Sequence, residues 1–244
     1  ISKAYNYILY IILLNILFLQ NLYKNMFMRF LLLLLLCLPI LCLSQINQLD
    51  DNGYKQGYWE KKFMNGKIRY KGQFKDNKPF GMFKFFYNSG ELQAEKQFFH
   101  DAKAVATHIY YKDGSLKSSG LYVNELKDST WNYYDKDSML VMSEQYKMGK
   151  LDGSSKTFYD NGQVYEIKNW KNGIEYGQWI QYFINGNIKM VSGFEDGKRN
   201  GEQIIYYPNG NVYCQGFYHE DSKIGFWKYF TQQGNTDTII NHNE

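Results

Sequence analysis

Cysteine is scarce in this chain: three residues in 244, and two of them, Cys37 and Cys42, lie in an apolar N-terminal stretch. Only Cys214 stands beyond that stretch. One cysteine makes neither an internal disulfide nor a cysteine-based zinc site, and Cys214 reads as a small strand residue. Acid is missing from residues 1–44, which hold Lys3, Lys24 and Arg29. Without those three, the 28 basic residues become 25 against 24 acids, and the net charge falls from +4 to +1. A basic groove is therefore not a property of the whole chain, and no nucleic-acid partner is expected. Proline is also rare, at three residues, whereas aromatics make up 18%, with 23 Tyr and 17 Phe. Tyr and Phe favour half-buried pleated surfaces, so the composition points to an all-β fold and away from a disordered chain.

Reactive constellations are missing as well. His100, His108, His219 and His242 show no His-Glu-x-x-His spacing and have no cysteine partners; they read as solvated loop residues. No Gly-x-Ser-x-Gly elbow is present. No reacting group has a partner at useful spacing. The expectation is a non-enzyme with no cofactor and no metal.

The N-terminus reads as an address. Arg29 is followed by Phe30, six leucines and a run ending at Ser44-Gln45. A basic residue, a short apolar core and a small residue before the cut describe a secretory signal peptide over 26–44. Residues 1–25 contain a second apolar run, Tyr5 to Leu19. They are read either as upstream sequence from a misplaced start or as an apolar anchor, although 15 residues including Asn15 are short for spanning. Both readings place the rest of the chain outside the cytoplasm: periplasmic, envelope-associated or secreted, and membrane-anchored if residues 1–44 are not cleaved.

A fixed period of 24 residues governs the remainder of the chain. Gly57 recurs as Gly81, Gly153, Gly177, Gly201 and Gly225, with Val105 and Ser129 at the two open registers. A second glycine column runs Gly66, Gly90, Gly114, Gly162, Gly186, Gly210 and Gly234, with Ser138 at its gap. An aliphatic column runs from Ile68 to Val212, and an aromatic one through Phe74, Phe98, Tyr122, Tyr146, Trp170, Phe194 and Tyr218. Each unit reads as a strand from the first glycine, a turn such as Asn65-Gly66 or Asp113-Gly114, and a strand from the aliphatic residue with 68, 70, 72 and 74 on one face. Asn-Gly and Asp-Gly are strong hairpin signals because both residues tolerate positive φ. Return loops such as Asp76–Gly81 lead into the next unit. Short connections force antiparallel neighbours. The predicted architecture is all-β: one elongated antiparallel meander sheet of tandem 24-residue hairpins. A lead-in half-unit occupies 45–56, seven full units and a truncated eighth occupy 57–236, and a tail covers 237–244.

A single sheet has no second layer to cover it, so large rings lying across strands supply the core. Trp59, Phe83, Trp131, Trp179 and Trp227 share one column and are the candidate partner-surface aromatics, as anchors of an interface. Stacking of sugars or bases is the weaker use for these rings. Gly66, Gly90, Gly114, Gly162, Gly186 and Gly210 are structural turn residues. The stretch Ala104–Ser129, which loses the strand glycine and carries Thr107 in the tryptophan column, is the expected soft point. The loop acids Asp76, Asp101, Asp152, Asp196 and Asp221 recur among lysines and read as a solvated row, not a calcium site.

The unit Gly-x-Trp-x-x-Tyr-Phe-x-x-Gly-x-Ile, as in Gly177–Ile188, resembles the variant MORN repeat, as do the loops Glu195–Gly201 and Lys147–Gly153. The resemblance covers about 52–235. It implies a hairpin-repeat sheet used as an interaction or scaffolding surface. Some eukaryotic members are described as lipid-associated, and bacterial members often carry an antitoxin label. The leading expectation is an exported protein-binding scaffold at the cell envelope. The alternatives are an antitoxin or immunity-type protein and a membrane-surface lipid binder; a charge of +1 gives the last little attraction to anionic lipid. Open sheet edges offer a route to oligomers.

Overall fold

The structure, a computed structural model, describes residues 9–21, 23–24 and 46–243. The chain divides into two units, residues 1–45 and 46–244. In the first, residues 9–21 form a helix whose apolar side chains, Leu13 and Phe18 among them, are exposed. No helix among the described residues is long and apolar enough to cross a membrane. The expected signal segment, 26–44, lies outside the described residues.

The second unit is a single sheet of eighteen strands. They are β1 (Gln48–Leu49), β2 (Lys55–Lys62), β3 (Ile68–Lys75), β4 (Lys78–Phe86), β5 (Leu92–Phe99), β6 (Ala104–Tyr110), β7 (Leu116–Val123), β8 (Leu126–Tyr134) and β9 (Leu140–Lys147). The second half comprises β10 (Lys150–Phe158), β11 (Val164–Lys171), β12 (Ile174–Glu175), β13 (Gly177–Tyr182), β14 (Ile188–Glu195), β15 (Lys198–Tyr206), β16 (Val212–His219), β17 (Ser222–Phe230) and β18 (Thr236–Asn241). Each strand pairs antiparallel with its sequence neighbour, and β12 and β13 together form the one strand that lies beside β11. The predicted all-β meander is the observed fold. Residues 237–241, expected as part of a tail, instead belong to a last strand, β18, which pairs with β17 through Ile240↔Trp227 and Ile239↔Lys228.

The turns differ from expectation in a consistent way. At Asn65-Gly66 only the glycine takes positive φ, 82°. The Gly66 amide donates to the Phe63 carbonyl at 3.0 Å. This is the three-residue loop with one left-handed residue, not a primed two-residue turn. The Asn65 carboxamide oxygen accepts the Lys67 amide at 3.1 Å instead, as Asn161 does for Gln163 and Asn209 for Asn211. The primed turns sit at the other end. Both Asp76 and Asn77 have positive φ, as do Asn124 and Glu125, Asp196 and Gly197, and Glu220 and Asp221. These return loops are therefore two residues long, and the strands that follow them start before the glycine punctuation.

That glycine is a bulge inside the strand. β3 and β4 pair Lys71↔Lys84 and then Gln73↔Phe80, so the ladder slips where Gly81 adopts a φ of 67°. Bulges bend a strand and add twist. Two units lack the glycine and solve the problem differently. Ser129 takes the left-handed conformation itself, φ 58°. Val105 does not: β5 and β6 pair without a slip from Ala94↔Ile109 to Phe99↔Ala104. The displaced residue goes into the turn, where His100, Asp101 and Ala102 all have positive φ. A left-handed non-glycine residue costs about 1–2 kcal/mol, partly balanced by the greater entropy glycine loses on folding. Ser129→Gly is expected to stabilise the chain by about 1 kcal/mol, read as a higher urea midpoint at unchanged slope.

Adjacent hairpins are fastened at their tips. The hydroxyls of Tyr87, Tyr111, Tyr159 and Tyr207 donate to the carbonyls of Tyr110, Tyr134, Tyr182 and Phe230, each 23 residues on. At the opposite ends the carboxylates of Asp128, Asp152 and Asp221 accept the amides of Met148, Asn172 and Arg199. Of the loop acids, Asp152 and Asp221 are thus turn caps, and Asp128 is a further one. Ion pairs beside them, Lys78–Asp101 and Lys198–Glu220, are exposed at both partners and add little.

Candidate functional site

The expected partner-surface column runs across one face of the sheet, and the structure divides it. Phe83, Trp131 and Trp227 are 2%, 1% and 1% exposed. They are core, and the expectation of a surface role fails for them; Trp59 and Trp179 are half-buried. The reason is a second column not singled out in the sequence. A Cβ built on Gly72, Gly120 or Gly216 would come within 3.0 Å of the ring of Phe83, Trp131 or Trp227, respectively. Each buried ring lies flat on a glycine eleven residues before it. The indole nitrogens of Trp131 and Trp227 donate to the carbonyls of Leu121 and Phe217, the residues after those glycines, at 3.0 and 3.3 Å. Trp179 meets Lys168 where the glycine would be. It stays half-buried, and its indole donates to Glu166 at 2.6 Å. A glycine eleven residues before a ring was the readable signal.

Rings of the neighbouring column close the sides. Phe83 stands 5.1 Å from both Phe74 and Phe98, Trp131 4.8 Å from Tyr122, and Trp227 5.2 Å from Tyr218, all edge-to-face. That geometry suits the aromatic quadrupole. His242 is a further rung, 6.4 Å from Trp227. It is half-buried, not the solvated loop residue expected. Lysines roof the indoles: Lys55 over Trp59, Lys127 over Trp131, Lys168 over Trp179 and Lys223 over Trp227, at 4.0–4.9 Å from the ring centroids. Cation and ring attract, and the stems cover apolar surface.

The titratable groups on this face are tied into the packing. Burial, together with hydrogen bonding to Tyr146 and Glu144, pushes the Tyr133 phenol far above its usual range. The Lys84 ammonium, helped by the Tyr110 hydroxyl, holds the Glu95 carboxyl below its usual range. At the turn row, the Arg199 amide and guanidinium do the same for Asp221. Burial raises the Cys214 thiol, which sits under Ile205 and Tyr229 beside Trp227. Among the described residues no three His, Cys, Asp or Glu side chains converge on a point that could hold a metal ion. The turn glycines Gly66, Gly90, Gly114, Gly162, Gly186 and Gly210 all have positive φ, as predicted.

The opposite face carries apolar side chains that the column analysis passed over. Phe217 pairs with Ile224 across β16 and β17; Phe226 and Ile239 lie on the same face of β17 and β18. Phe217 is 51% and Phe226 60% exposed, and Ile224 and Ile239 are exposed too. Phe80, Met82 and Phe99 make a smaller exposed group near the other end. In the same two columns of β8 and β10 stand Asp128, Thr130, Asp152 and Ser154, so these columns are polar there.

A family model described as the MORN repeat variant matches residues 151–172 and 199–220. Those two segments are variant MORN repeats, the family the repeat unit resembles. Each matched MORN segment is one hairpin, β10 with β11 and β15 with β16, and the two lie 48 residues apart. They are units whose ring column holds Ser155 and Gln203, so the family pattern survives without the tryptophan. No curated protein is significantly similar to the chain.

Proposed function

We propose that this MORN-repeat chain is a non-enzymatic, exported scaffold that binds another protein through the face opposite its packed rings. The observation that supports the reading is the patch Phe217, Ile224, Phe226 and Ile239: four large apolar side chains exposed on the sheet, while Trp131 and Trp227 are buried on the other face. Contiguous exposed apolar groups with polar surroundings mark interaction sites, and aromatic anchors dominate their energetics. Export rests on the sequence of residues 26–44.

The test is in-cell crosslinking followed by purification of the intact chain from fractionated cells. Phe217→Asp with Phe226→Asp should remove a specific crosslinked partner, or weaken its binding more than tenfold, while the urea midpoint stays unchanged. A partner retained in full by this variant would refute the patch. A native form found only in the cytoplasm would refute export and favour an antitoxin-type role.

A further inference from the structure

The ring column lacks a ring at three rungs, Thr107, Ser155 and Gln203, and beside Thr107 a depression lies between two aromatic walls. Rings are inserted between Phe74 and Phe98, where Phe83 stands, and beside Tyr122, where Trp131 stands. Between Phe98 and Tyr122 the column residue is Thr107, which is itself 1% exposed, so the free space lies one row away, above Val105. Strand pairing sets Phe98, Val105 and Tyr122 in one row and Lys96, Thr107 and Gly120 in the next. The two aromatic walls are thus two strand spacings apart, about 9–10 Å, as are Phe74 and Phe98 around Phe83. An open depression of about 420 Å³ lies here, and its lining includes Lys96, Phe98, Ala102, Val105, Tyr122 and Glu125.

Three departures of this unit from the repeat, at Lys96, Ala102 and Val105, meet at that depression. Val105 removes the bulge glycine, the left-handed turn His100–Ala102 takes up the displaced residue, and Ala102 lines the rim. Lys96 stands where other units have Gly72, Gly120 or Gly216. Its ammonium lies 5.6 Å from the Phe85 centroid and 5.7 Å from that of Tyr122. It makes no ion pair among the described residues; Glu95, on the other face of β5, pairs with Lys84 at 2.8 Å. Breaks in an otherwise consistent pattern, with local backbone strain, are where function is expected.

We propose that this slot binds an aromatic ring bearing a single carboxylate. The ring lies above Val105 with Phe98 and Tyr122 on its two sides, and the carboxylate meets the Lys96 ammonium. Glu125, the acid in the lining, disfavours a second negative charge. The ligand is either a free aromatic acid or the C-terminal aromatic residue of a polypeptide; both present the same groups. The slot is on the ring-packed face and is independent of the patch at Phe226.

The experiment is a titration of the full chain followed by amide chemical shifts, with phenylacetate, its neutral amide, and an acetylated tripeptide ending in phenylalanine, free or amidated. Phenylacetate should saturably shift the amides of Phe98, Val105 and Tyr122. Phenylacetamide should bind roughly tenfold more weakly, as should phenylacetate to Lys96→Met, which keeps the apolar stem. Lys96→Gly with Thr107→Trp rebuilds the Gly120–Trp131 arrangement; it should lose binding and raise the thermal midpoint. The free-acid peptide binding more tightly than phenylacetate would identify a polypeptide terminus as the source, and no gain would identify a free acid. Absence of saturable phenylacetate binding overturns the proposal. So does equal affinity for Lys96→Met and the unaltered chain, or undiminished binding by the filled double variant.

Discussion

Trp131→Ala is expected to destabilise the chain by about 3–5 kcal/mol, the range for truncating a buried aromatic that the surroundings cannot replace. The site cannot collapse easily. The indole lies on the bare backbone of Gly120, Tyr122 braces it at 4.8 Å, and Lys127 roofs it at 4.8 Å. Removing it also leaves the Leu121 carbonyl without its indole donor. The single layer sharpens the effect, since no packed element behind the sheet can shift inward. Because each hairpin touches only its neighbours, the loss should be confined to the adjoining units. Native-state hydrogen exchange is the measurement: amides of β7, β8 and β9 should lose protection strongly, while those of β16 and β17 keep theirs. Uniform loss across the sheet would show that the array unfolds as one block.

Gly120→Ala is expected to cost about 3 kcal/mol, at the upper end of overpacking effects. The added Cβ would lie within 3.0 Å of three indole atoms of Trp131, although φ at Gly120 is ordinary. The penalty is therefore steric and belongs to the ring. Repeating the substitution in the Trp131→Ala chain should make it nearly neutral, and a double-mutant cycle by urea unfolding measures the difference. Gly186→Ala is a useful contrast. Nothing lies within 4 Å of its added Cβ, but φ is 86°, so its smaller cost should persist in every background.

The period, the hairpins and the single sheet could be read directly, because a column held in phase over many units admits few architectures. The half-unit before Lys55 and the turn glycines came from the same columns. What misled was the double use of glycine. Gly81 and Gly201 look like strand starts beside Asp, Asn and Lys, but they are bulges within strands, and the polar residues before them already pair. The ring column was misassigned because burial depends on a residue eleven positions away on the neighbouring strand. Gly120 and Gly216 accept a ring, while Lys168 does not. Phe226 and Ile224 escaped notice because their columns mix residue types, from Phe80 and Met82 to Asp128, Ser154 and Asn200, so no constant residue marked them.

The pairing of every strand with its sequence neighbour has a kinetic consequence. Each hairpin closes a loop of only two to four residues between its strands, and no contact in the sheet waits for distant segments to meet. The entropy of loop closure, which slows most β proteins, is small at every step. The sheet should therefore fold faster than sandwiches or barrels of its size, from whichever hairpin forms first, and lengthen outward in both directions. The tyrosine hydroxyls that reach 23 residues ahead would then fasten each hairpin to the next as it is added.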